Sequence, residues 1–97
     1  MPPSVDPWNP GQSIEAEIAG EKAASLGRTG RRVESSLAHL RSCRPGAPEC
    51  ASRLEDAIRA VWYYFIQREA CGMRDHREAI ALYAIPGEVL ARLGTVT

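Results

Sequence analysis

Six residues whose side chains can take part in nucleophilic, acid–base or ion-pair chemistry lie close together in the second half of the chain: Arg68, Glu69, Cys71, Arg74, Asp75 and His76. His76 would make a nucleophile of Cys71 by favouring the thiolate, which is the reactive form of cysteine. The sequence offers no third group to orient the imidazole and no identifiable oxyanion donor. We therefore predict a structural cluster, with a catalytic thiol and a binding interface as the two alternatives.

In the structural interpretation each member of this cluster has an ordinary role. Cys71 packs as a small apolar residue. Asp75 caps the start of a helix, because its carboxylate accepts a hydrogen bond from a free backbone amide. The two arginines and Glu69 form ion pairs that fix the turn between two helices.

Metal binding is the second chemistry that we considered. His39 and Cys43 are four residues apart, a spacing that places two ligands on one face of a helix, and Cys50, Cys71 and His76 are further candidates. Any chain with three cysteines and two histidines contains some such pair, and the paired C-x-x-C units of structural zinc sites are absent. We predict no metal and no other cofactor.

The composition limits the size of the protein and the partners that it attracts. Ninety-seven residues are enough for one domain with a modest core. Twelve basic residues balance twelve acidic ones, so no net charge draws the chain to nucleic acid or to an anionic membrane. No apolar segment approaches the ~18 residues that a membrane span needs.

The basic residues and the cysteines carry two further expectations. All the basic residues except Lys22 are arginines, which suit bidentate pairing with carboxylates, so we expect ion pairs within the molecule or at an interface. The three cysteines are an odd number in a chain without a charged-then-apolar leader. This combination predicts free thiols and a cytoplasmic protein.

A long first helix is predicted from Ser13, a favourable N-cap, to Arg41. Its apolar stripe falls within about 60° of arc at ~100° per residue and consists of Leu26, Val33, Leu37 and Leu40. Residues 1–12 hold four of the seven prolines and are expected to form an irregular arm, which Trp8 pins to the body of the domain.

Three glycines complicate a continuous first helix, since each costs up to ~1 kcal/mol relative to alanine. Together with two alanines they form a small-residue strip at spacings of four, three, four and three: Ala16, Gly20, Ala23, Gly27 and Gly30. Such a strip lets a second backbone approach closely, so we predict a contact surface for a helix of this chain or of a second copy. Arg28, Arg31 and Arg32, near the strip, are expected to pair with acidic groups of the partner. The alternative is a bend, in which Gly27 and Gly30 separate two helices.

The second helix carries most of the aromatic residues. It opens at Pro48, or at Ser52 if a capping box forms there, and it ends at Gly72. Residues 62–65 are Trp-Tyr-Tyr-Phe, four of the six aromatic side chains in the protein. A helix with apolar residues on more than one side needs more than one neighbour.

Two short helices are predicted at the C-terminal end. Asp75 caps a third helix that reaches Tyr83, and Pro86 opens a fourth helix that stops at Gly94. The hairpin at residues 77–94 has the spacing of a helix-turn-helix unit. Its second helix begins with Pro-Gly-Glu, however, whereas contacts to bases and phosphates call for Arg, Lys, Asn or Gln near the helix start.

Three segments resemble a family of short bacterial proteins of unknown function: GEKAASLGRTGRRVE at 20–34, VWYYFIQREACGMRDH at 61–76 and YAIPGEVLARLG at 83–94. The family carries a G-E-K-A-x-x-L-G-R-x-G stretch, an aromatic segment followed by Q-R-E, and an I-P-x-E-V-L-A-R-L-G ending. The likeness covers most of residues 14–94. It implies a compact helical domain from a bacterial cytosol, and it brings no catalytic or binding residues with it.

The predicted fold is an all-α domain over residues 13–94, followed by a frayed tail at 95–97. It is a small bundle in which the long first helix packs antiparallel on the aromatic second helix and the two short helices cap one end. We predict a non-enzymatic structural or interaction module that forms a homodimer; no outside protein partner is indicated. The alternatives are a regulatory module that binds DNA or RNA through the 77–94 hairpin, and a small enzyme or metal site at Cys71 and His76.

Overall fold

The computed structural model describes the backbone of residues 10–95 and the side chains of residues 14–94. This range holds four α-helices, a final 3-10 turn and no strand: α1 (Pro10–Arg41), α2 (Glu49–Ala70), α3 (Arg77–Tyr83), α4 (Gly87–Arg92) and the turn Leu93–Thr95. The predicted all-α class and the two short C-terminal helices are confirmed. The expectation for Trp8 lies outside the described residues.

Helix α1 is continuous. It begins at Pro10, three residues before the predicted start at Ser13, and its 32 residues pass through Gly27 and Gly30 without a break. The alternative of a bend at these glycines is therefore wrong. At 1.5 Å per residue α1 is about 48 Å long, whereas the 22 residues of α2 span about 33 Å.

The core lies between α1 and α2, which run antiparallel: Gly30 meets Tyr64, and His39 meets Arg53 further along. Ten buried side chains form it: Val33, Leu37, Ala57, Ile58, Ala60, Val61, Tyr64, Ala79, Ile85 and Val89. The predicted stripe supplies two of these, and its other two members, Leu26 and Leu40, pack half-buried against the core. The predicted packing of helix one on helix two is confirmed.

Cys43 and Cys50 form a disulfide across the loop that joins α1 to α2. The prediction of free thiols is wrong for this pair, and only Cys71 is a free cysteine. The turn at Gly46, with φ of 81°, returns the chain so that the two Cα atoms lie 5.7 Å apart, within the usual range for a disulfide. Cys43 and Cys50 therefore give no support for a reducing compartment, because an odd number of cysteines does not reveal which of them pair.

Thiol titration tests the disulfide directly. The denatured protein is expected to react at one thiol per chain without reductant and at three after reduction, because Cys71 alone is free among the three cysteines. A Cys71→Ser variant is the control and should show none before reduction. Three reactive thiols in the unreduced protein would contradict the pairing.

The two ends of α2 differ from each other in how they are capped. At the start, Pro48 occupies the N-cap position without a side-chain cap, and the Ser52 hydroxyl donates to the Glu49 carbonyl in the first turn. The predicted start at Pro48 therefore agrees with the structure, and the alternative start at Ser52 with a capping box is wrong. At the other end Gly72, with φ of 87°, terminates α2 as predicted. The Gly72 amide donates to the Glu69 carbonyl, and the Met73 amide donates to the Arg68 carbonyl. This is the hydrogen-bond pattern of a Schellman motif.

Two arginine side chains cap helix ends by donating hydrogen bonds to backbone carbonyls, a role that the sequence did not predict. The Arg41 guanidinium donates to the carbonyls of Tyr83 and Ala84 at 3.1 and 2.8 Å. Arg53 donates to the carbonyl of His39 at 3.1 Å, near the end of α1. Carbonyls at the end of a helix lack partners within the helix, so a long cationic side chain from a neighbouring helix satisfies them.

The C-cap of α3 is Ala84, a non-glycine residue in the left-handed region with φ of 49°. A side chain in this region costs roughly 1 kcal/mol, which glycine avoids. Ala84→Gly is therefore expected to raise the free energy of unfolding by about 0.5 to 1 kcal/mol, measured by urea denaturation. Ala81→Gly is the matched control inside α3, where glycine should cost up to ~1 kcal/mol. Equal shifts for both variants would contradict the conformational argument.

Candidate functional site

The polar cluster at residues 68–76 is organised around His76, at the junction of α2 and α3. Arg68 Nε donates to His76 Nδ1 at 3.1 Å, and Arg68 Nη2 donates to the Asp75 carbonyl at 3.0 Å. On the other side of the ring, His76 Nε2 lies 3.3 Å from Glu69 Oε1. A guanidinium can only donate, so Nδ1 must accept, and Nε2 carries the proton that is donated to Glu69.

Aromatic contacts hold the same group in place. The His76 ring stacks on Phe65 at 4.1 Å with an interplanar angle of 4°. The Arg68 guanidinium lies 5.8 Å from the centre of the Tyr64 ring, within the range of a cation–π contact. His76 is therefore fixed by α2 on both edges and on one face of its ring.

The other three members of the predicted cluster do not join this network through their side chains. The Asp75 carboxylate turns to Arg77, whose amide and guanidinium both donate to it, and these hydrogen bonds lower the pKa of Asp75 to about 2. Asp75 stands one residue before the N-cap position of α3, which His76 occupies. Arg74 is exposed, and Cys71 is half-buried.

In this geometry neither ring nitrogen of His76 is free to act as a base for the Cys71 thiol, the nucleophile of the catalytic alternative. Both ring nitrogens of His76 are engaged, one with Arg68 and one with Glu69. Cys71 lies instead along a shallow groove of about 460 Å³ between the end of α2 and α1, where it neighbours Ala23 and Leu26. The network is arranged to fix the turn between α2 and α3.

Two of the candidate metal ligands are committed to the disulfide. The sulfur of Cys43 is bonded to Cys50 and is not a free thiolate. Among the residues whose side chains are described, no three His, Cys, Asp or Glu side chains are grouped so that they would hold a metal ion.

The small-residue strip of α1 is divided into two parts. Gly30 is buried, and a β-carbon built on it would lie 2.7 Å from the Tyr83 hydroxyl and 3.5 Å from the Tyr64 ring. The Tyr83 ring packs edge-on against Tyr64 at 5.5 Å. Burial of the phenol is the main cause that raises the pKa of Tyr83, and the neighbouring Tyr64 raises it further. This end of the strip is therefore filled by α3 of the same chain.

The other end of the strip is open. Ala16, Gly20 and Ala23 are exposed, and a β-carbon on Gly20 would meet nothing within 4 Å. Gly27 is half-buried between the two parts. Arg28 and Arg31, which we predicted to lie beside a contact surface, are both exposed.

A second surface lies on the opposite side of α1. Ile14 and Ile18 are 55% and 50% exposed, and every residue from 14 to 24 is exposed. Further along the same side, the Arg32 guanidinium lies 5.4 Å from the centre of the Tyr63 ring on α2, and Tyr63 is 48% exposed. α1 therefore presents half-exposed apolar side chains beyond the region that α2 covers.

A family model described as a family of unknown function, DUF6665, matches residues 3–97 of the chain. The chain belongs to DUF6665. No curated protein and no solved structure matches it. The predicted resemblance to a family of short helical proteins without a known function is thus confirmed, and membership of DUF6665 assigns no activity to any residue.

The C-terminal hairpin of this DUF6665 chain is part of the domain core. Val89 of α4 is fully buried, and Ile85, in the turn before α4, is also buried. The hairpin's second helix, α4, which would have to contact bases in the nucleic-acid alternative, is six residues long and carries Glu88 in its first turn. Among the helices described between residues 10 and 95, none has both the length and the apolar content that crossing a lipid bilayer requires.

Sequence reasoning missed two features of the DUF6665 chain that matter for its surfaces. Tyr83 fills the space over Gly30, and Arg32 covers Tyr63. Both pairs join residues that are more than thirty positions apart, so no local pattern indicates them. The small-residue strip was the one available signal, since it marks Gly30 as a place of close approach without identifying the neighbour.

Proposed function

We propose that this domain is a non-enzymatic interaction module that forms a homodimer through α1. One observation carries the proposal: every residue from 14 to 24 is exposed, although this stretch is helical and includes Ile14 and Ile18. In a monomer these isoleucines would stay half in water, at a cost that burial against a partner removes.

The unequal lengths of the two long helices support this proposal. α1 exceeds α2 by ten residues, or about 15 Å. The end of α2 reaches α1 near Ala19 and Ala23, so the first turns of α1 extend past it. An isolated helical segment of this length is marginal in water, since helices draw most of their stability from packing on an apolar face. A partner helix supplies that packing.

A second copy of the chain is the partner that these features favour. Symmetric dimers are the commonest oligomers, and the formal net charge of zero creates no long-range repulsion between copies. Two surfaces on the same half of α1 are open to a copy. One is the exposed part of the small-residue strip, and the other is the side with Ile14 and Ile18.

Light scattering coupled to gel filtration tests the proposal. We expect the protein to approach twice its chain mass of 10.6 kDa as its concentration rises. The double variant Ile14→Ser/Ile18→Ser should shift the mass toward that of one chain, because it removes the apolar area that the contact would bury. Leu82→Ser is the matched control, since Leu82 is 75% exposed on α3 and should leave the dimer intact. A single-chain mass at every concentration would overturn the proposal.

A further inference from the structure

We infer that the two copies pair antiparallel along the side of α1 that carries Ile14 and Ile18, with a two-fold axis between Ala24 and Ser25. This inference rests on the homodimer proposed above and adds its geometry. It selects one of the two open surfaces of α1, and it names the side chains that meet across the contact.

The charges along this side of α1 form a self-complementary pattern. Glu17, Glu21, Arg28 and Arg32 follow one another at spacings of four, seven and four residues. At ~100° per residue they fall within about 60° of one another, so they form a single strip. All four side chains are exposed, and none forms an ion pair with another described residue of the chain. Two acids lie at one end of the strip and two bases at the other.

Among two-fold symmetric pairs, an antiparallel copy satisfies this pattern and a parallel copy does not. Rotation about the midpoint between residues 24 and 25 places Glu17 opposite Arg32 of the second copy and Glu21 opposite Arg28. The symmetry repeats both pairs, so four opposite-charge pairs form. A parallel copy in register would place glutamate beside glutamate and arginine beside arginine, which is repulsive at helix-surface distances.

The apolar side chains follow the same symmetry. Ile14 lies eighteen residues, or five helical turns, before Arg32, so both project from the same side of α1. The rotation brings Ile14 and Ile18 of each copy to the region of the other where Arg32 covers Tyr63. Tyr63 is 48% exposed, and its ring offers an apolar surface to these isoleucines. Each copy thereby covers the stretch of the other copy's α1 that α2 does not cover.

The small-residue strip does not carry this inference. Its end at Gly30 is already filled by Tyr83, which shortens the surface available to a partner helix. Its remaining members offer little apolar area, whereas the opposite side presents two isoleucines and a tyrosine that are each about half exposed. Association through exposed apolar area flanked by matched charges is the stronger physical case.

Charge reversal provides the test. In the full-length chain, Arg28→Glu/Arg32→Glu makes the strip wholly acidic, and Glu17→Arg/Glu21→Arg makes it wholly basic. Each double variant alone is expected to dissociate, with a dimer dissociation constant raised at least about tenfold. An equimolar mixture of the two should form a heterodimer, because every position then faces an opposite charge. The quadruple exchange, which restores the pattern in reverse, should recover the homodimer.

Native mass spectrometry of the mixture distinguishes the heterodimer from either homodimer, and circular dichroism of each variant verifies that the helices are retained. Two outcomes would overturn the inference while the homodimer proposal stands. In one, both double variants dimerise as the wild-type protein does; in the other, Gly27→Leu dissociates the dimer and the charge variants do not, which would assign the contact to the small-residue strip. A wild-type protein that stays monomeric would overturn both proposals.

Discussion

Replacing Gly30 with leucine is expected to lower the free energy of unfolding by about 3 kcal/mol. The first added carbon alone would lie 2.7 Å from the Tyr83 hydroxyl. Tyr83 cannot move aside cheaply, because its ring packs edge-on against the Tyr64 ring. The gain in helix propensity, up to ~1 kcal/mol, offsets part of this cost. Urea denaturation followed by circular dichroism measures the change.

Gly20→Leu is the matched control, because Gly20 lies in the same helix and the same strip but has open space around it. We expect its free energy of unfolding to stay within about 0.5 kcal/mol of the wild-type value or to rise slightly. Tyr83 supplies a second readout. Burial raises the pKa of its phenol, so displacement toward solvent in the Gly30 variant should return that pKa toward the ordinary tyrosine value in an ultraviolet titration. Equal stabilities for the two leucine variants would refute the close contact.

Replacing Arg68 with methionine is expected to lower the free energy of unfolding by about 2 kcal/mol. The guanidinium makes two hydrogen bonds, to His76 and to the Asp75 carbonyl, and a contact with the Tyr64 ring. Methionine keeps much of the apolar stem but makes none of these. The lost hydrogen bonds lie at the turn between α2 and α3, and the lower stability should appear in both thermal and urea denaturation.

Arg74→Met is the matched control, since it removes the same charge from an exposed position of the same turn. It should stay within about 0.5 kcal/mol of the wild-type protein. Arg68→Lys separates charge from geometry: an ammonium lacks the planar fork that reaches both acceptors, so the lysine variant should recover less than half of the loss. Nitrogen NMR of His76 gives an independent check, because the Arg68 hydrogen bond selects the tautomer protonated at Nε2. The same stability for the Arg68 and Arg74 variants would show that the network contributes nothing to the fold.

The candidate site was predicted in part. The sequence placed the polar cluster at the junction of two helices, where it is found, because Gly72 and Asp75 carry local signals of a helix end and a helix start. It did not predict which members meet. Arg68, Glu69 and His76 converge, whereas Arg74 stays exposed, since convergence depends on the angle between α2 and α3.

The small residues of α1 were also predicted as a group from local sequence spacing, and the structure likewise divides them between buried and exposed positions. The periodicity of α1 placed the five small residues on one strip, yet Gly30 is covered by Tyr83 and Gly20 is open. Periodicity fixes which residues share a side of a helix. It does not fix where along that side a neighbouring element ends.

The sequence by itself determined the helices of this protein, apart from a few terminal residues, and the face that α1 turns to the core. These follow from forces that act within a few residues: the 3.6-residue period buries Val33 and Leu37, and Pro86 and Gly72 mark helix boundaries where a backbone donor or a right-handed conformation is lost. Tertiary structure decided the rest. The disulfide between Cys43 and Cys50, the capping of α3 by Arg41 and the burial of Gly30 by Tyr83 all depend on how the chain returns after each turn. The exposure of residues 14–24 of α1 was also decided by the tertiary structure, because α2 is ten residues shorter than α1 and does not cover this stretch.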